Sequence, residues 1–292
     1  MTTYLPPLVS VIIPTYNRAP LIESSIRSVF AQDYPNIEVI VVDDGSIDDT
    51  ELVVSRLADK RLRYFKQTEN HGAPAARNVG VREAHGDFLA FLDSDDAWEP
   101  NKLSRQMETM VRTGAETALV YTGMRKVDES GATIGFKKPK KRGWIYNDLL
   151  RDNVVGSTST ALVRTSAFRA VGGFDETLRS RQDLDLWIRI AAKYRVDFVA
   201  APLVIYSVHR DRISTNVDAK IQGCEAVFTK YFEDIRKKPD ILASHYYLLG
   251  WLHEKKGELP IAIRYFGMAL RARPSPKRLY RYLNVSFRYK YA

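Results

Sequence analysis

Phe88-Leu89-Ala90-Phe91-Leu92-Asp93-Ser94-Asp95-Asp96, introduced by Gly86-Asp87, sets five apolar residues directly against three carboxylates. An unbroken apolar run of that length reads as a strand buried on both faces of a parallel sheet. Buried strands rarely run into clustered negative charge unless a cation offsets it. Asp93 and Asp95 are two positions apart, so an extended backbone sends both side chains off the same face. Carboxylates in that arrangement suit a hard divalent cation. The carboxyl end of a strand in an open α/β sheet is also where ligands bind. The alternative is a solvated acidic turn, with Asp96 capping a helix that begins near Trp98-Glu99-Pro100.

Upstream, the same alternation recurs. Val9-Ser10-Val11-Ile12-Ile13 is a buried-strand run that Pro14 is expected to end, and Pro14-Thr15-Tyr16-Asn17-Arg18 follows as a loop. Leu21, Ile22, Ile26, Val29 and Phe30 have helical spacing. Ile37-Glu38-Val39-Ile40-Val41-Val42 is a second strand, and it too runs into carboxylates, Asp43-Asp44. Asp48-Asp49-Thr50 opens a helix with negative charge at the favourable end of its dipole. Leu62-Arg63-Tyr64-Phe65 is a third strand, and residues 72–80 open a further helix that carries Arg77 and Asn78. Strand and amphipathic helix in alternation signal a doubly wound α/β sheet. On such a sheet the two acidic strand ends lie on one edge, around one crevice.

Downstream, residues 103–111 read as a helix and Ala118-Leu119-Val120-Tyr121 as a strand. Gly135 to Gly143 encloses Lys137-Lys138-Pro139-Lys140-Lys141-Arg142, a like-charge block expected to be a mobile loop. Ser157 to Val163 reads as a strand and Gly172-Gly173-Phe174-Asp175 as a turn. In the helix from Gln182 to Ala191, Leu184, Trp187, Ile188 and Ala191 share an apolar face. Asp183 falls just before that face, where it either borders a cavity or caps the helix. Residues 198–205 form a last strand, followed by His209, Arg210 and Arg212, a pattern that suits an anion.

Composition narrows the classes. The 292 residues are 45% hydrophobic, enough for a sizeable core. The first residues lack the pattern of a secretory signal, and no run of about 18 apolar residues predicts a membrane span. The single cysteine, Cys224, reads as a core residue in a reducing compartment, so a cytoplasmic location is expected. The net charge is +9 and lies almost wholly at one end, since residues 216–292 carry 15 Lys/Arg against 7 Asp/Glu. That bias points to an acidic partner surface, and anionic lipid at the inner face of a membrane is expected rather than nucleic acid.

Taken in order, Val9 to Arg18, Val41-Val42-Asp43-Asp44-Gly45-Ser46, Ala76-Arg77-Asn78-Val79-Gly80, Phe91 to Asp96, Gly172 to Glu176 and Gln182 to Trp187 resemble the family 2 glycosyltransferases over residues 8–215. Each motif alone is weak, but six in sequence are specific. The resemblance implies a GT-A fold: a Rossmann-like, mostly parallel α/β sheet flanked by helices. It also implies a nucleotide-sugar donor, here a UDP-sugar, a divalent cation (Mn2+ or Mg2+) and transfer with inversion to an acceptor hydroxyl on a saccharide or lipid-linked saccharide. By resemblance, Pro14, Tyr16, Asn17, Asp43, Asp44, Arg77, Asp93 and Ser94 surround the nucleotide, with Tyr16 stacked on the base and Asp43 or Asp44 accepting from it. Asp93, Asp95 and His209 hold the metal, Arg210 and Arg212 the phosphates, and Asp183 is the base. Many relatives have Glu where this chain has Gln182.

Leu249-Gly250, Gly257, Ala262, Phe266, Ala269 and Pro274 resemble one tetratricopeptide repeat over about 243–276. The expected organisation is therefore a GT-A domain over 1–215, a helical connection over 216–240, and a small all-α appendage with a basic tail over 241–292. One repeat does not stand alone, so these helices are expected to dock on the catalytic domain, to continue into a helix over 277–286, or to pair with another protein or a second copy. Rival readings are an inactive GT-A domain that serves as a binding module and a nucleotidyltransferase. The intact Asp95 and Asp183 oppose the first. The second would carry a glycine-rich triphosphate loop where Pro14-Thr15-Tyr16-Asn17-Arg18 has no glycine.

Overall fold

The computed structural model describes residues 6–209 and 216–291. They divide into two units, the first holding residues 6–149, 153–177 and 183–209 and the second residues 150–152, 178–182 and 216–291.

The first unit is built on one mixed sheet. Its strands are β1 (Val9–Thr15), β2 (Ile37–Asp43), β3 (Leu62–Lys66), β4 (Phe88–Phe91), β5 (Ala97–Trp98), β6 (Thr117–Val127), β7 (Thr133–Lys137), β8 (Ala161–Arg164) and β9 (Arg195–Ser207). The order across the sheet is β3-β2-β1-β4-β8-β6-β9-β5, with β7 paired to β6. The first four strands are mutually parallel, as alternation with α1 (Ala19–Phe30), α2 (Thr50–Ser55) and α3 (Ala73–Glu83) requires. β8 then enters antiparallel between β4 and β6.

Both faces of this sheet are covered, which is why its strands lack an in/out alternation. On one face Val11, Ile13, Val39, Val41, Ala90 and Leu92 pack with Ile22, Ile26 and Val29 of α1 and with Leu103, Met107 and Met110 of α4 (Lys102–Thr113). On the other face α3 lies very close to β1: a Cβ at Gly80 would stand 2.5 Å from Ile12 Cγ2. Phe91 meets Phe168 and Phe174 there, at ring distances of 5.8 and 5.2 Å.

Four sequence expectations need correction. Pro14 does not end β1, which runs to Thr15 with Pro14 opposite Val42. The Pro14 nitrogen falls on the β4 side, beyond the last registered pair Ile12–Phe91, so the β1–β2 ladder runs on through it. The extended backbone of the opening stretch stops at Phe91, and Asp93–Asp96 is a turn closed by Asp96 N–H on Asp93 O (3.0 Å).

The basic block of 135–143 is not an open loop. Its start is β7, and the rest is pinned: the Tyr121 hydroxyl donates to Lys141 O (2.8 Å), Lys141 pairs with Asp148 (2.8 Å), and Arg142 lies over the Phe198 ring (4.4 Å). Residues 157–163 are not one strand. Thr158–Thr160 form a 3₁₀ turn, in which the Ser157 hydroxyl accepts from Ser159 N–H, and only then does β8 begin.

The first unit is completed by α5 (Tyr146–Arg151), shared with the second, α6 (Thr165–Ala170) and α7 (Gln182–Ala191). The second unit otherwise comprises α8 (Val217–Lys230), α9 (Phe232–Ile235), α10 (Pro239–Lys256), α11 (Leu259–Ala272) and α12 (Pro276–Lys290). The α10–α11 hairpin turns at Gly257, which adopts the left-handed conformation (φ 89°) that closes helices. Ala262, Phe266 and Ala269 of α11 are fully buried, and a Cβ at Gly250 would stand 2.9 Å from the Phe266 ring. Only a glycine lets the two helices approach that closely. Cys224 is a core residue packed with Ile221, Leu249 and Leu252, and burial pushes its thiol pKa up. Among the described residues no helix is long and apolar enough to cross a membrane.

Candidate active site

The parallel arrangement of β1, β2 and β4 puts Tyr16, Asp43 and Asp93 at the same edge of the sheet. The turn after β4 folds the carboxylates of Asp93, Asp95 and Asp96 together, with ligand oxygens all within 4.8 Å of one another. At that separation two unit charges repel by about 3.5 kcal/mol at an effective dielectric constant of about 20. Cationic or donating groups meet each of them. Arg77 of α3 donates from Nη2 to Asp93 Oδ1 (2.7 Å), and the Thr158 hydroxyl donates to the same oxygen (3.1 Å). His209 Nε2 lies 2.8 Å from Asp95 Oδ2. Asp96 does not cap a helix. It is buried, accepts from the Ser159 hydroxyl (2.7 Å) and from Ser207 N–H (3.3 Å), and α4 starts later, after Asn101.

Arg77 is itself almost wholly buried, with its guanidinium 5.4 Å from the Phe174 ring centre and no hydrogen-bond partner at Nε or Nη1. Asn78, next along α3, donates to Phe174 O (2.9 Å) and accepts from Phe174 N–H (3.0 Å). α3 thereby holds both the arginine and the ring it stacks on.

Around the end of β1, Tyr16 is 43% exposed and Asn17 adopts a positive φ of 51°. Asn17 N–H donates to the Ser46 hydroxyl (2.8 Å), and Asn17 Oδ1 accepts from Ile47 N–H (2.9 Å). Asp43 and Asp44 are buried and face the backbone. Asp43 accepts from Ser46 N–H (2.7 Å) and from the Tyr64 hydroxyl, whose pKa is raised by burial and by that carboxylate. Asp44 accepts from Gln67 Nε2 (2.6 Å), His71 N–H (2.9 Å) and Gly72 N–H (2.7 Å). Pro14 and Ser94 are buried beneath the same edge.

Asp183 lies in the first turn of α7, after Arg181 and Gln182, so it is not the N-cap. Its Oδ2 accepts from Asn153 Nδ2 (2.8 Å). Asn153 also closes the loop to Gly156, accepting from its N–H (2.8 Å), and the next residues, Ser157 and Thr158, reach Asp93 (3.3 and 3.1 Å). One short segment, 153–159, therefore contacts the acidic turn at one end and Asp183 at the other. Reading Ser157 to Val163 as a strand missed this. The available signal was the run of small hydroxyls, Ser157-Thr158-Ser159-Thr160, which favours local side-chain to backbone bonds over a ladder. Arg210 and Arg212 lie outside the described residues.

The sequence profile of Glycosyl transferase family 2 matches residues 10–172. The uncharacterized glycosyltransferase RT0329 of Rickettsia typhi is 31% identical over 245 residues, 81% of this chain and 75% of the relative. The Escherichia coli UDP-Glc:alpha-D-GlcNAc-diphosphoundecaprenol beta-1,3-glucosyltransferase WfgD is 30% identical over 247 residues, 84% of this chain and 92% of the relative. Three other Rickettsia relatives are longer, and this chain spans 34–39% of them. Among solved structures, TarS 1–349 of S. aureus in complex with UDP-GlcNAc superposes with a TM-score of 0.69 at 21% identity, covering 91% of this chain and 81% of that one. The mannosyltransferase PcManGT of Pyrobaculum calidifontis, in complex with GDP-Man and Mn2+, gives 0.66 at 24% identity, covering 95% and 78%. The fold is the GT-A fold expected from the sequence.

Proposed function

The chain belongs to glycosyl transferase family 2, and we propose that it moves a sugar, with inversion and with a divalent cation, from a UDP-sugar to a hydroxyl of a lipid-linked saccharide in polysaccharide biosynthesis. The observation that carries this reading is the acidic turn after β4, three carboxylates within 4.8 Å of one another facing Arg77 and His209. The acceptor class is supported by the E. coli relative, named for a diphosphoundecaprenol-linked acceptor, and the donor base by that relative and by TarS.

Asp93, Asp95 and His209 would hold Mn2+ or Mg2+. Carboxylate oxygens with one imidazole fit such an ion, and their crowding is a cost that a cation removes. When bound, the ion supplies positive charge against the diphosphate leaving group. Tyr16 offers an exposed aromatic face on which the base stacks. Asp43 and Asp44 shape the loops beneath it, and either carboxylate has lone-pair capacity left to accept from the base. Arg77 pairs with Asp93 and holds it aimed at the site.

The acceptor hydroxyl attacks the anomeric carbon opposite the nucleotide, the bond to the diphosphate oxygen breaks, and the proton passes to the Asp183 carboxylate. Asn153 fixes that carboxylate, and a positioned base contributes about 10²–10⁴-fold. The α10–α11 hairpin is read as one tetratricopeptide-like unit, supported by the packing of Gly250 against Ala262 and Phe266.

A thermal-shift screen of nucleotide sugars with and without Mn2+ tests the reading, because a ligand that binds the folded state raises Tm by mass action. UDP-sugars should raise Tm only with the cation. Stabilisation by other nucleotide sugars alone would overturn the donor, and stabilisation that ignores Mn2+ would overturn the metal.

A further inference from the structure

On α12, Tyr280, Leu283 and Phe287 recur at spacings of three and four residues and so share one side, and Tyr291, the residue that ends the helix, follows four positions on. They are 68, 55, 64 and 69% exposed. The opposite side carries Val285, fully buried against Ala262 and Phe266. Arg281 and Arg288 are drawn back to Glu254 of α10 (2.6 and 2.7 Å), so they belong to the packed side. Single exposed apolar residues are ordinary on a protein surface, but a contiguous stripe marks a binding face.

We propose that this stripe lies in the interface of an anionic phospholipid bilayer, with α12 parallel to the membrane plane. The inference does not depend on the donor or acceptor assigned above. Charge complementarity argues for lipid over protein. Over its 15 residues α12 carries Lys277, Arg278, Arg281, Arg288 and Lys290 and no carboxylate. Lys277 and Lys290 border the stripe, whereas the cores of protein interfaces are depleted in lysine. The aromatic members are mostly tyrosines, whose apolar rings and polar tips match the boundary between acyl chains and headgroups. An apolar stripe flanked by cations is the pattern of helices that embed about 5–10 Å into that boundary. The excess of Lys/Arg over residues 216–292 adds long-range attraction to an anionic surface.

The test is co-sedimentation of the full-length protein with vesicles of phosphatidylcholine alone and of phosphatidylcholine mixed with phosphatidylglycerol. Wild type should pellet with the mixed vesicles only, and about 1 M salt, where the Debye length is about 3 Å, should release much of it. Leu283→Glu with Phe287→Glu should cut the bound fraction by more than about tenfold, since burying each of these side chains is worth about a factor of ten. Both residues are solvent-exposed, so melting temperature should be unchanged. Lys277→Glu with Lys290→Glu should abolish the preference for phosphatidylglycerol. Equal pelleting on both vesicle types, or variants that pellet like wild type, would overturn the proposal. So would light scattering that shows a dimer lost in the Leu283/Phe287 variant without any vesicle binding, which would make the stripe a contact between copies.

Discussion

Lys102→Met is expected to stabilise the protein in a way that fades as pH rises. Lys102 opens α4 fully buried, with Nζ 3.7 Å from the centre of the Trp98 ring and no hydrogen-bond partner. A charged ammonium over tryptophan gains about 2 kcal/mol, whereas removing it from water costs several. Desolvation wins, and the pKa is held well below the usual 10.5. Between that lowered pKa and 10.5 the unfolded chain therefore binds a proton that the folded chain does not, and in that window wild-type stability climbs with pH by about 1.4 kcal/mol per unit. Methionine has similar length, packs well against an aromatic ring and does not titrate. The variant should be the more stable protein near pH 8, with the gap closing by about 1.4 kcal/mol per unit toward pH 10. Urea denaturation of both proteins across that range measures it. A gap that stays constant would mean that Lys102 is charged in the fold and that the desolvation argument is wrong. The site has a stake in the result, because Trp98 Nε1 donates to Ser159 O and the Ser159 hydroxyl holds Asp96.

Asp183→Asn should lower kcat by about 10²–10⁴-fold with little change in donor KM, because the amide keeps the shape and loses the base; steady-state kinetics that retain more than about a tenth of wild-type kcat would reduce Asp183 to an anchor for the 153–159 segment. Asp95→Ala should abolish Mn2+-dependent UDP binding in isothermal titration while leaving the melting temperature of the apo protein near wild type, and unchanged affinity would remove Asp95 from the metal site.

Much of the candidate site was legible because its residues sit at the ends of buried strands. The runs at 9–13, 37–42 and 88–92 announce themselves by unbroken apolarity, and parallel pairing then carries Tyr16, Asp43 and Asp93 to one edge. Asp183 was visible as an acid beside an apolar helical face. The 153–159 segment was not. Its small polar residues fit a strand, a turn or a loop equally well, and what chooses the 3₁₀ turn is Asp93 accepting from Ser157 and Thr158 across more than 60 positions of sequence.

The chain by itself therefore determined the α/β alternation, the helical appendage and the identity of the acidic residues, because burial patterns and propensities are local. Tertiary structure alone decided three things. It bent Asp93–Asp96 into a turn rather than an extended pair, since the carboxylates find Arg77, Ser159 and His209 only once α3, β8 and the end of β9 are assembled. It let β1 run through Pro14, since only the strand registers show that its missing donor faces β4 beyond the last registered pair and not β2. It left Leu283 and Phe287 in water while burying Val285 of the same helix, since which face of an amphipathic helix is covered depends on the partner against which it packs.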